Sequence, residues 1–239
     1  MLTMPAACWL CRMPLTLAHH GICSYCQRAL KPPCCCPRCG LSTFYPNEEC
    51  GRCQRHPPSW QRLIFVADWQ PPLKELVKKL KFSQQTALSV MLARLILLTW
   101  LTARREGRLQ RPDLLLYVPL HRSRAWRRGY NQLDDMARYL AHWLAIPCAP
   151  GGLSRKKRTR VQHFLSARAR RRNLRGAFKV EIEVKGRHIA LLDDVVTTGS
   201  TVEEIARLLL RAGAASVQVL CLCRTLYSVG DERKINPLI

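Results

Sequence analysis

Acidic side chains are scarce in this chain: sixteen Asp and Glu stand against thirty-nine Lys and Arg, a formal charge of +23 over 239 residues. Such an excess draws in phosphate-bearing partners more than it helps a chain fold, and nucleic acid is the first candidate. A merely solubilising surface fits poorly, because cationic excess also recruits nucleic acid non-specifically. The opening Met1-Leu2-Thr3-Met4-Pro5 has neither a charged leader nor an apolar run. No secretory signal is read there, and the cytoplasm is the expected compartment. Also missing is an apolar stretch of the roughly 20 residues that a bilayer needs. The longest, Ala87 to Leu101, carries Arg94 and reads as a buried helix, with no membrane insertion expected.

Residues 1 to about 55 have too few periodic apolar residues to bury a core, yet they hold ten of the thirteen cysteines. In a reducing compartment, close CxxC pairs are metal ligands rather than a disulfide framework. The pairs are Cys8-x2-Cys11, Cys23-x2-Cys26, Cys36-x2-Cys39 and Cys50-x2-Cys53. One knuckle aims two thiolates at a tetrahedral Zn²⁺ and two knuckles close the shell, so four pairs make two structural zinc sites with no open position for catalysis. Sequential pairing, as a double zinc ribbon, is favoured over a cross-brace because each half closes a short loop. Cys34 and Cys35 are left as spares. His56-Pro57-Pro58-Ser59 disfavours helix and reads as a stiff linker. The expected division is a Cys-rich unit over 1–56, an α/β unit over 60–228 and a polar tail over 229–239.

Beyond the linker, apolar runs suited to covered strands alternate with helical spacing. Strands are expected at Arg62–Ala67, Leu114–Val118, His188–Leu192 and Ser216–Cys223, and helices at Leu73–Phe82, 87–101, Gln132–Leu144 and from Val202. The last helix is expected to open on a Thr201-x-x-Glu204 capping box, to bury Ile205, Leu208 and Leu209, and to close at Gly213. The fold class is therefore α/β, a mostly parallel sheet with helices on both faces. Such sheets bind ligands beyond the carboxyl ends of their strands.

One of those ends carries Leu191-Leu192-Asp193-Asp194-Val195-Val196-Thr197-Thr198-Gly199-Ser200-Thr201. Backbone amides of a loop at a helix N-terminus converge on an anion, Gly199 admits close approach, and the hydroxyls donate further bonds. Asp193 and Asp194 can accept from a sugar diol or hold hydrated Mg²⁺. A ribose bearing a 5′-phosphate would fill both halves. The string resembles the signature of type I phosphoribosyltransferases. That resemblance implies Mg²⁺ with 5-phosphoribosyl 1-pyrophosphate (PRPP), ribose hydroxyls on Asp193 and Asp194, and phosphate on the loop from Val195 and Val196 through Thr197, Thr198, Gly199, Ser200 and Thr201.

A second strand end, Val118 to Gln132, is rich in arginine, whose guanidinium groups can grip a diphosphate. In the resembled family it is the pyrophosphate loop, with Pro119, Leu120, Arg122, Arg127, Arg128 and Asn131 as candidates. A solvated basic loop is the plainer alternative. The basic stretch Arg155 to Phe178 follows, with Thr159, Gln162, Arg170 and Asn173 as nucleic-acid or flexible-loop candidates, together with Lys81. Arg-Arg-Gly-Tyr-Asn-Gln, Thr-x-x-Gln-x-x-Leu-x4-Arg-x2-Asn, Leu80-Lys81-Phe82, the double ribbon and the phosphoribosyl motif together resemble the ComF family, and its GntX-like branch closely. That likeness implies a role in competence or in the use of external DNA as a nutrient. Clustered Arg and Lys beside Trp126, Tyr130 and Phe164 could track single-stranded DNA. A partner in the DNA-import machinery goes with the family likeness and not with any particular residue. Enzyme and non-catalytic DNA-binding adaptor are both left open.

Overall fold

The computed structural model describes residues 6–30, 34–45, 48–82, 86–106, 109–119, 131–156 and 174–225. Two short helices, α1 (Ser24–Ala29) and α2 (Gly51–Arg55), belong to the cysteine-rich part. Then follow β1 (Arg62–Asp68), α3 (Leu73–Phe82), α4 (Thr86–Arg105), β2 (Leu114–Tyr117), α5 (Gln132–Leu144), β3 (Leu153–Arg155), β4 (Phe178–Val180), β5 (His188–Val196), α6 (Ser200–Arg211) and β6 (Ser216–Arg224). The main sheet has the order β1-β6-β5-β2 and every pairing in it is parallel. Its strands read as unbroken apolar runs because both faces are covered. All nine residues of β6 are buried.

Helices α3, α4 and α5 cover one face, where Leu76, Leu92, Ile96 and Leu140 meet Ile64, Leu115, Ala190 and Leu192. On the other face, α6 and the β3–β4 pair pack against Phe65, Leu116, Ile189, Leu191 and Val219. In α6 the buried positions Val202, Ile205, Ala206 and Leu209 keep the i, i+3, i+4, i+7 spacing of one helical face. Burying a Leu or Ile there contributes about 1.5–3 kcal/mol each.

Four expectations are corrected. Strand β5 does not stop at Leu192 but runs to Val196, because β6 is equally long and pairs with it as far as Val196 opposite Arg224. Helix α6 has no capping box: it starts at Ser200 after a left-handed Gly199 (φ 77°), with no side-chain cap. Glu204 instead accepts the Gly176 N–H at 2.9 Å. Leu208 is only partly buried. Helix α4 is longer than expected, and residues 87–105 are long and apolar enough by composition to cross a membrane. Here Leu88, Met91, Leu92, Leu95, Ile96 and Trp100 are buried in the core.

Among the described residues, the first half of the cysteine-rich part has no separate hydrophobic cluster. Cys8, Leu15, Ile22 and Leu30 join the cluster around α4. The β3–β4 pair is antiparallel, and in the sequence its strands are separated by the basic stretch 157–173, which lies outside the described residues.

Candidate functional site

The carboxyl ends of β5 and β2 lie side by side, since Val118 N–H donates to Leu192 O at 2.9 Å. Asp193 and Asp194 are consecutive in β5, opposite Cys221 and beside Cys223 of β6. Successive side chains of a strand alternate faces, and these two do so. Asp194 follows Ala190 and Leu192 toward α3 and α5. Its Oδ2 lies 2.9 Å from Lys81 Nζ and accepts from Gln132 Nε2 at 3.0 Å. Asp193 follows Ile189 and Leu191 toward α6, and its Oδ1 accepts the Asp194 N–H at 2.8 Å. Loss of hydration, reinforced by the Asp194 charge, pushes the Asp193 carboxyl up to about 8.

Asp193 and residues 195–202 line a small hollow. Thr197 is exposed at its rim. Thr198 Oγ1 and Ser200 Oγ are hydrogen-bonded at 2.9 Å, so the two hydroxyls stand together at the head of α6. The first amides of a helix have no intrahelical acceptor, and their partial positive charge favours an anion. Gly199 is required twice over: its φ is +77°, and a Cβ there would lie 3.0 Å from Trp60 Cη2. A hollow of amides and hydroxyls flanked by a carboxyl suits a phosphate joined to a polyol.

Of the other residues singled out, Lys81 is brought directly to the acid pair. Pro119 follows β2 at the same edge of the sheet. Asn131 caps α5, its Oδ1 accepting the Leu133 N–H at 3.1 Å. Leu120, Arg122, Arg127, Arg128, Thr159, Gln162, Arg170 and Asn173 lie outside the described residues, as do Trp126, Tyr130 and Phe164. Sequence reasoning missed Gln132, Trp60, Glu203 and Arg224. Arg224 carried a signal, a lone cation closing the apolar run from Val217.

The eight paired cysteines form two groups, Cys8, Cys11, Cys23, Cys26 and Cys36, Cys39, Cys50, Cys53, with sulfurs within 4.8 Å of one another in each. Zn–S bonds of about 2.3 Å in a tetrahedron place sulfurs about 3.8 Å apart. Cys11 and Cys23 sulfurs are 3.8 Å apart, and those of Cys39 and Cys50 are 3.5 Å apart. Backbone amides support the first group, with Cys23 N–H on Cys8 Sγ at 3.4 Å. In the second, the hydrogen bond from the Cys39 thiol pulls Cys36 down to about 4. Four soft donors this close fit a zinc ion. The grouping is sequential rather than cross-braced. Cys34 and Cys35 belong to neither group.

A family model described as phosphoribosyl transferase domain matches residues 127–236. DNA utilization protein YhgH of Escherichia coli is 55% identical over 227 residues, 95% of this chain and 100% of that one. Competence protein F of Haemophilus influenzae is 40% identical over 220 residues, 91% of this chain and 96% of that one. A purine phosphoribosyltransferase of Pyrococcus horikoshii, 19% identical, overlaps 59% of this chain and 77% of its own with a TM-score of 0.36, too loose an overlay to bear on function. With its parallel sheet, its paired four-cysteine groups and these full-length relatives, the chain belongs to the ComF family that includes DNA utilization protein YhgH and competence protein F, and carries a phosphoribosyl transferase domain.

Proposed function

We propose that this chain binds PRPP or a closely related ribose 5-phosphate in the hollow at the end of β5, and that it serves the use of external DNA. The observation that carries the reading is the hollow itself, where Asp193 meets hydroxyls and helix-start amides over residues 195–202. In this reading residues 197–201 receive the 5′-phosphate, while Asp193 and Asp194 hold the ribose hydroxyls and Mg²⁺. The metal, when bound, offsets charge on the pyrophosphate. Arg122, Arg127 and Arg128 are the candidates to hold that pyrophosphate. Transfer of the phosphoribosyl group to an amine or base is the enzymatic form of this function. The names of the relatives support the link to DNA, and a cytoplasmic location with a partner in DNA import is part of the same proposal.

A second reading, a non-catalytic single-strand-binding adaptor, is favoured by the +23 charge and by Phe44 and Tyr45, which are 99% and 67% exposed. Exposed aromatics beside a basic chain suit base stacking. One paired assay separates the two. Calorimetry should show Mg²⁺-dependent PRPP binding, weakened at least ~100-fold in Asp193→Asn/Asp194→Asn, a loss of ~2.7 kcal/mol or more; unchanged affinity refutes the site. Pyrophosphate release with a panel of bases and amines marks an enzyme. No release, alongside tight and salt-sensitive binding of single strands, marks the adaptor.

A further inference from the structure

Three successive carbonyls of the Cys36–Cys39 knuckle accept hydrogen bonds from the α/β part, and two of the three donors, Trp60 and Arg224, also hold the phosphate loop. Pro37 O accepts from Leu63 N–H of β1 at 2.9 Å. Arg38 O accepts from Trp60 Nε1 at 2.6 Å, and Cys39 O from Arg224 Nε at 2.8 Å. Arg224 is only 7% exposed. Its Nη1 donates to the carbonyls of Val196 at 3.0 Å, of Thr225 at 2.7 Å, and of Thr197. Trp60, 6% exposed, lies against Gly199 at the other end of the loop. Its neighbour Ser59 donates its N–H and Oγ to the Glu203 carboxylate in the first turn of α6, at 2.9 and 2.8 Å. Both ends of the loop are thus held from one place, the stretch Cys36–Cys39. The first four-cysteine group lies on the opposite face, where Gly21 abuts Met91 of α4.

We infer that the second four-cysteine site is the foundation of the phosphate loop, with Arg224 and Trp60 as its positioning residues. This rests on the ribose-phosphate reading of the hollow. Coordination by Cys36, Cys39, Cys50 and Cys53 fixes the direction in which the carbonyls of residues 37–39 point. A buried guanidinium or indole N–H that loses its acceptor must find another, and the nearest change open to it is a shift of the loop. Affinity for ribose phosphate is therefore tied to metal occupancy and thiol state at this site and not at the first.

The test uses full-length protein, ribose 5-phosphate as probe, and amide hydrogen exchange of residues 197–200 without ligand. Trp60→Phe deletes the N–H together with the outer indole edge that packs on Gly199. It should weaken binding roughly three- to tenfold and speed loop exchange by a similar factor, while protection in β5 and β6 is kept. Arg224→Lys should weaken binding more than about tenfold. Cys50→Ser, losing one zinc per chain, should behave like Arg224→Lys, whereas Cys11→Ser loses one zinc and leaves affinity and loop exchange unchanged. Unaltered exchange at 197–200 in both Trp60→Phe and Cys50→Ser overturns the inference. Should the wild type bind no ribose 5-phosphate, the proposed function falls, and loop exchange alone then decides whether the coupling exists.

Discussion

Asp193 is where a single residue most affects behaviour. In the folded chain its carboxyl is pushed up to about 8 from an ordinary 3.8, so between those values the folded state binds a proton that the unfolded state releases. Stability linked to this group is full below 3.8 and declines as pH rises toward 8. In the proposed function Mg²⁺ calls for the ionised form, which also accepts more strongly from sugar hydroxyls. Affinity should then rise by up to about tenfold per pH unit below the shifted value and level off above it. Calorimetric titrations of PRPP with Mg²⁺ at several pH values check this; a flat profile contradicts it. Asp193→Asn keeps an oxygen for the Asp194 N–H, so its Tm near neutral pH should match or exceed that of the wild type while the pH slope disappears. The acid pair was legible because two carboxylates at the end of an apolar run are costly unless used. That Lys81 and Gln132 meet on one oxygen of Asp194 was not, since α3 and α5 reach it from distant parts of the sequence.

Among the elements, the turn from β5 into α6 is the most constrained. Gly199→Ala places a Cβ at φ +77° and 3.0 Å from Trp60 Cη2. The substitution should cost about 1–3 kcal/mol, read by thermal or chemical denaturation, and should abolish phosphate binding in the same sample. A variant that binds as well as the wild type would show that the loop does not need this conformation. Helices α3, α5 and α6 were legible from their apolar spacing, which a long amphipathic segment repeats several times. The extension of β5 to Val196 was not, because Val195 and Val196 are held by pairing with Cys223 and Arg224 rather than by any local signal. Nor was the β3–β4 pair, whose strands of three residues are too short to show a period. The expected capping box failed for a related reason. Glu204 is drawn off to Gly176, 28 residues away, and Glu203 to Ser59, 144 residues away, partners that no local spacing reveals.

At the scale of the whole molecule, metal and charge make separate statements. Elemental analysis of protein prepared without chelator should find two zinc ions per chain, and their removal should lower Tm measurably. A count of zero would remove the two closed sites from the description. The +23 charge predicts that any binding to single-stranded DNA weakens steeply with salt, the slope of log affinity on log salt giving the number of phosphate contacts. CxxC spacing made both four-cysteine groups legible. Their placement on opposite faces of the sheet was hidden, because it depends on Gly21 fitting against Met91 and on the carbonyls of 37–39 facing β1 and β6.

The first of these placements bears on how the protein can be handled. Cys8, Leu15, Ile22 and Leu30 roof the greasy flank of α4. Cutting the chain at Pro57-Pro58 to isolate the phosphoribosyl transferase domain would strip that roof and leave Met91 and its neighbours bare. Such a fragment would clump or cling to detergent and lipid.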